Sequence, residues 1–149
     1  MPDILHRISI DAAREDIHDL VATTDGVARW WTGRPLDGDS TVGGRFGIYF
    51  ADADTPAAVM QMESDTADEV VWRVVEGPDP WIGTRITFAL RPSSNGGTTL
   101  LFTHSGWPEA SEFMSGCSSN WGAYLTSLKY GAEGVDFRPY PQGEISRWT

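Results

Sequence analysis

The sequence predicts an α+β domain in which a curved antiparallel sheet is covered by one long helix. Three observations carry that prediction. Between residues 45 and 105 short stretches alternate apolar and polar residues with a period of two, separated by turn-rich segments. Residues 109–133 hold the only long pattern of helical period. One alternating strand and two short helical patterns come ahead of both.

Taken in order, ILHRISID (4–11) sets His6, Ile8 and Ile10 against Leu5, Arg7 and Ser9, the alternation of a half-buried strand. Asp11 offers an N-cap oxygen to a first helix, whose Ala13, Ile17, Leu20 and Val21 share a face. That helix should stop near TTDG (23–26), where Thr24 or Asp25 can cap again. GVARWWT then gives a second short helix with Trp30 and Trp31 at its end. RPLDGDSTVGG (34–44) is turn chemistry. The strands that follow are RFGIYF (45–50), AAVMQMES (57–64), EVVWRVVE (69–76), IGTRITFALR (82–91) and TTLLFTHS (98–105). Their inward sets are Phe46, Ile48 and Phe50; Met60 and Met62; Val70, Trp72 and Val74; Ile86, Phe88 and Leu90; and Leu100, Phe102 and His104. GPDP (77–80) and SSNGG are the turns. In the long helix Phe113, Cys117, Trp121, Tyr124, Leu125, Leu128 and Ala132 form an apolar stripe. Twenty-five residues of helix run roughly 37 Å, enough to cross a sheet. Gly116 can bend it and Gly134 can end it. A single domain over 1–149 is expected, with its core in 4–134 and an irregular tail in 135–149.

The formal net charge of −10, with eleven basic residues scattered along the chain, argues against nucleic acid as a partner. No apolar run is long enough to cross a bilayer, so integral membrane association is not expected. MPDILHRISI lacks the basic start and apolar stretch of a leader, and the cytoplasm is the expected location. Cys117 is the single cysteine and reads as a buried filler, since no base lies beside it. Seven tryptophans (30, 31, 72, 81, 107, 121 and 148) are more than a compact core of this size needs, and they read equally as aromatic core packing or as the lining of a pocket.

Several stretches together resemble a known family: ISIDAAREDIHDLVATTDGVARWW, VGGRF, EVVWRV, GTTLLFTHSGW and NWGAYLTSLKYGAEG, in this order. The chain is similar to the helix-grip, START-like (SRPBCC) superfamily of the Bet v type. Within it, the chain resembles the branch related to the activator of the ninety-kilodalton heat-shock protein's ATPase. The resemblance spans about residues 4 to 134. It implies a sheet wrapped around the C-terminal helix with a cavity between them. It implies no catalytic residue, because this fold hosts lipid carriers, hormone receptors, polyketide cyclases and co-chaperone domains.

The stretch FTHSGWPE (102–109) places His104 beside Ser105, but neighbours on a strand point to opposite faces, so the two do not form a nucleophile–base pair. Gly106 and Pro108 read instead as a sharp exit into the helix. His104 itself falls on the interior face, where it reads first as a hydrogen-bonded polar group near the cavity rim and second as a ligand contact. The first and last strands as neighbours would bring His6 close to it. A third ligand with metal-site spacing is missing, so no metal is expected, nor any other cofactor. Glu63 and Arg73 both face outward and are expected to form a surface ion pair. VGGRFG lacks dinucleotide-binding spacing and reads as the start of a strand.

The function expected is therefore the binding of a small apolar, aromatic or lipid-like ligand between sheet and long helix. Trp30, Trp31, Phe46, Ile48, Met62, Trp72, Phe88, Phe102, His104, Trp121 and Tyr124 are its candidate contacts, with His104, Tyr124 or Tyr49 orienting a polar end. A cyclase or dehydratase using the same cavity, with His104 as acid or base, is an alternative. So is a regulator acting through protein contacts, as a homodimer or with a partner; Phe137, Tyr140 and Trp148 would then form an exposed cluster.

Overall fold

The computed structural model describes residues 1–31, 34–50, 53–135 and 146. Phe137, Tyr140 and Trp148, and with them nearly all of the expected tail, lie outside the described residues. The elements run β1 (Ile4–Ile10), α1 (Arg14–Ala22), α2 (Thr24–Trp30), β2 (Arg45–Ile48), β3 (Ala58–Asp65), β4 (Glu69–Glu76), a 3-10 turn (Asp79–Trp81), β5 (Arg85–Pro92), β6 (Thr98–Ser105) and α3 (Glu112–Ala132). The strands form one antiparallel sheet in the order β1-β6-β5-β4-β3-β2. The first strand therefore closes beside the last, and α1 and α2 sit in the crossover from β1 to the far edge. Alternation of buried and exposed positions in β5 and β6 keeps Ile86, Phe88, Leu90, Leu100, Phe102 and His104 on the inner face, as the period of two predicts.

The expected fold is the observed one, with local corrections. Ala13, not Asp11, stands at the N-cap of α1 and makes no side-chain cap bond. Asp11 instead gives its backbone N–H to the Glu133 carboxylate at the end of α3. Thr23, not Thr24 or Asp25, caps α2, its hydroxyl accepting from the N–H of Gly26. Thr24 already lies inside the helix. The long helix opens at Glu112, where the Ser111 hydroxyl accepts from Met114, because Pro108 and its neighbours cannot yet join the ladder. It runs unbroken through Gly116 and stops before Gly134, whose φ of +84° suits a glycine terminator. Residues 79–81 form the 3-10 turn, so the fifth strand begins at Arg85 rather than Ile82.

A bulge in β3 redirects the chain. Register shifts between Met62 and Ser64, so Ser64 and Asp65 pair with Val71 and Val70. The slip carries Asp65 round to meet His18 of α1, Nε2 to Oδ1 at 2.6 Å. Glu63, at the bulge, does not pair with Arg73 as expected. It is held by two hydrogen bonds from Arg85, at 2.7 and 3.1 Å, which reaches across β4. The Arg85 guanidinium accordingly holds the Glu63 carboxyl below the usual range. Basic residues scattered in sequence are also gathered by the pairing. Arg45, Gln61, Arg73, Arg85 and Ser105 occupy one row across β2, β3, β4, β5 and β6.

The core is a ring-on-ring layer. Trp72 packs against Phe46 and Phe88 at 5.3 and 4.8 Å between ring centres, and stacks on Trp30 at 6.4 Å. Both indoles also donate to the end of α1: Trp30 Nε1–H to the Leu20 carbonyl at 2.7 Å, and Trp72 Nε1–H to the Val21 carbonyl at 3.0 Å. These carbonyls belong to the last turn, which has no partner within its own helix. The Ser127 hydroxyl of α3 does the same for the Trp30 carbonyl that ends α2, at 2.8 Å. Replacing Trp72 by Phe keeps most of the ring and strands the Val21 carbonyl, an expected loss of about 1–3 kcal/mol. Trp72→Ala adds a cavity and should cost about 3–5 kcal/mol. Urea unfolding of both variants measures the difference.

Candidate functional site

The interior between the sheet and α3 is built from the residues the sequence singles out. Trp30 and Trp31 come from the end of α2, Phe46 and Ile48 from β2, Met62 from β3 and Trp72 from β4. Phe88 comes from β5, Phe102 and His104 from β6, and Trp121 and Tyr124 from α3. All eleven are at most 2% exposed and belong to one buried assembly. Alternation on the strands and three- and four-residue steps on α3 aim them at one another. Three surface clefts lined by described residues, of about 430, 440 and 480 Å³, lie elsewhere, beside α1 and at the end of the sheet near Lys129. None of the eleven lines them.

Within this interior the rings form a column. Phe102 lies 4.6 Å from Trp121, Trp121 lies 5.7 Å from Trp31, and Trp31 stacks on Tyr124 at 4.2 Å. Phe50, half-buried, continues it at 5.5 Å from Trp31. The Trp31 indole donates to the Tyr49 carbonyl at 3.1 Å, and the Arg34 guanidinium lies 4.2 Å above the Tyr49 ring. The column thus starts in the buried core and reaches a partly exposed aromatic edge next to a cation. Phe50 shares the inward parity of Phe46 and Ile48, but strand pairing ends at Ile48.

His104 is fully buried and its ring is held on both sides. Trp121 Nε1–H donates to Nδ1 at 3.1 Å, which assigns the proton of the neutral ring to Nε2. Nε2 then donates to the Thr84 hydroxyl at 2.8 Å, which donates onward to the Trp81 carbonyl at 2.5 Å. Burial pushes the imidazole pKa down to about 3, so the ring is neutral at physiological pH. A general base needs a free nitrogen facing substrate, and here both are engaged by the protein. Trp81 and Trp107 press on the ring at 5.3 and 4.8 Å. His6 is not beside it. The register sets Ile4 opposite His104 and His6 opposite Phe102, and His6 Nε2 meets the Ser118 carbonyl at 3.1 Å. Among the described residues there is no group of three His, Cys, Asp or Glu side chains placed to hold a metal. Cys117 is buried, and burial raises its thiol to about 11.

Sequence reasoning missed Thr84, Trp81 and Trp107 as partners of His104. Thr84 was within reach of parity, since the inward face of Ile86 extends back to it. The role of Trp81 depends on the 3-10 turn, which no period announces.

With this geometry the family follows. Residues 11–132 match the model of the family described as activator of Hsp90 ATPase homolog 1-like protein, and the chain belongs to that family. It is similar to the Aha1 dimer from Colwellia psychrerythraea, with 32% identity, 89% of this chain and 97% of that one covered, and a TM-score of 0.78. It is also similar in fold to the protein SSP2350 from Staphylococcus saprophyticus, at 18% identity with 92% and 96% of the two chains covered and a TM-score of 0.71. CalU16 from Micromonospora echinospora shares the fold at 19% identity, with 95% of this chain and 78% of that one covered and a TM-score of 0.68. No curated protein sequence matches the chain.

The neutral, buried His104 predicts an acid dependence of stability. Its pKa is about 3 when folded against 6.5 for an unperturbed imidazole, so the unfolded chain takes up the proton first as pH falls. Its stabilising effect is whole above pH 6.5 and is lost progressively toward pH 3. The slope should approach about 1.4 kcal/mol per pH unit, with a smaller effect of the same sign from half-buried His6, whose pKa burial lowers. His104→Gln should flatten the slope between about pH 6.5 and pH 5, where most carboxylates stay charged. Urea midpoints measured across that range decide it.

Proposed function

We propose that this chain binds a small apolar, aromatic or lipid-like molecule between the sheet and α3, where Trp31, Trp121, Phe102 and Tyr124 meet. The observation that carries this reading is the ring column, which joins the buried core to the half-buried Phe50 without a break. A flat ligand replaces ring-on-ring contact with ring-on-ligand contact, so little packing is lost when the column opens. Trp31 and Tyr124 must part to admit it, because both are closed off from solvent. Met60 and Met62, on the floor of the same interior, adapt readily to different apolar shapes. A ligand burying about 300 Å² of apolar surface gains on the order of 7 kcal/mol before the costs of association.

Tyr124 and Tyr49 are the candidates to orient a polar end, since both nitrogens of His104 are engaged by the protein. Titration with fatty acids and polycyclic aromatics should shift tryptophan emission, and Trp31→Leu should weaken binding about tenfold, the worth of one well-stacked ring. A flat response across such a panel removes the reading.

A second reading, association of two copies to act on a protein partner, is favoured by the relative described as a dimer. Sedimentation equilibrium should then return twice the mass of 16.4 kDa.

A further inference from the structure

The outer face of the sheet carries a row of arginines that the ligand reading does not use. Arg45 pairs with Gln61, Gln61 with Arg73, Arg73 with Arg85 and Arg85 with Ser105, which aligns three guanidinium side chains across neighbouring strands. At about 4.8 Å per strand the row from Arg45 to Arg85 spans roughly 15 Å. All three are exposed, while Phe46, Trp72 and Ile86 beside them on their strands are buried. The contacts of α1 and α3 go to β1, β4 and β5 from the inner side, where the buried residues lie, so the helices do not cover the row.

Like charges directly opposite on a sheet are destabilising, and Arg73 and Arg85 are such a pair. One carboxylate relieves it: Glu63 accepts two hydrogen bonds from Arg85 and lies near enough to Arg73 for its charge to be felt. Arg45 and Arg73 form no ion pair within 4 Å among the described residues. The chain as a whole carries −10, so this is a local positive strip on an acidic protein. The next row is made of short or apolar side chains, Val71, Thr87, Thr103 and Leu5, with Leu5 71% exposed. A partner can therefore approach the sheet closely beside the guanidinium groups.

We propose that this row docks an acidic segment of a partner protein, whose carboxylates occupy Arg45 and Arg73 as Glu63 already occupies Arg85. Arg45 and Arg73 stand two strands apart, roughly 10 Å, and acidic side chains two turns apart on a helix are separated by about the same distance. The planar fork of arginine takes a carboxylate with two parallel bonds, the arrangement realised at Glu63. A nucleic acid would bring a long phosphate array against a protein of net charge −10 and would be repelled beyond the strip.

The test uses the full chain and a fluorescein-labelled oligo-glutamate peptide, followed by anisotropy at low and raised salt. The wild type should bind, and raised salt should weaken the complex. Arg45→Glu with Arg73→Glu should weaken binding at least about tenfold, the order expected for two charge-assisted contacts. Glu63→Gln should strengthen it severalfold by freeing Arg85. Unchanged near-ultraviolet dichroism shows that the charge-reversed chain is folded, and Arg45→Gln with Arg73→Gln repeats the measurement without added acid. Absence of binding at low salt, equal binding by the variants, or equal binding of a DNA oligomer of the same charge would overturn the proposal. None of these outcomes depends on the interior site.

Discussion

Closure of two short helix ends by side chains of the core is the constraint on which the rest of the molecule depends. Helices of nine and seven residues are too short to persist alone in water. Each also ends inside the domain, where bare carbonyls are costly. Trp30, Trp72 and Ser127 supply the missing donors. Trp72 belongs to the middle of the sheet and Ser127 to α3, so three layers share one set of hydrogen bonds. The same bonds set Trp30 and Trp31 at the turn where the ring column begins. Stability and candidate site are thus two aspects of one arrangement.

The polar relay through His104 follows the same logic at the opposite end of β6. A buried imidazole is acceptable when it is neutral and both nitrogens are satisfied, and Trp121 and Thr84 meet that condition. Trp121 is also a member of the ring column. A change in the column is therefore felt by the relay through one indole, whose N–H fixes the tautomer while its face meets Phe102 and Trp31.

Much of this was legible in the sequence because alternation and helical period report burial directly. Parity placed Phe46, Met62, Trp72, Phe88, Phe102 and His104 inside, and the stripe through Cys117, Trp121 and Tyr124 gave the buried face of α3. What stayed hidden depends on register or on a single residue of chain. The Arg85–Glu63 pair spans two strands, and no local spacing announces it. The row of arginines exists only once three strand pairings are known, so basic residues that are scattered in sequence meet in space. Asp65 faces α1 because a bulge reverses the parity of its strand. Thr23 and Thr24 are equally good caps in isolation, and only the path of the chain selects the first.

An open sheet has two rims, and here one is short and the other is partly occupied. β2 is four residues long, too short to recruit another chain with many bonds. At the other rim the last turn of α3 reaches over β1, where Lys129 takes the Ser9 carbonyl and Glu133 takes the Asp11 N–H, at 2.8 Å each. The helix that covers the core thereby also occupies the last residues of the edge at which a further strand could pair.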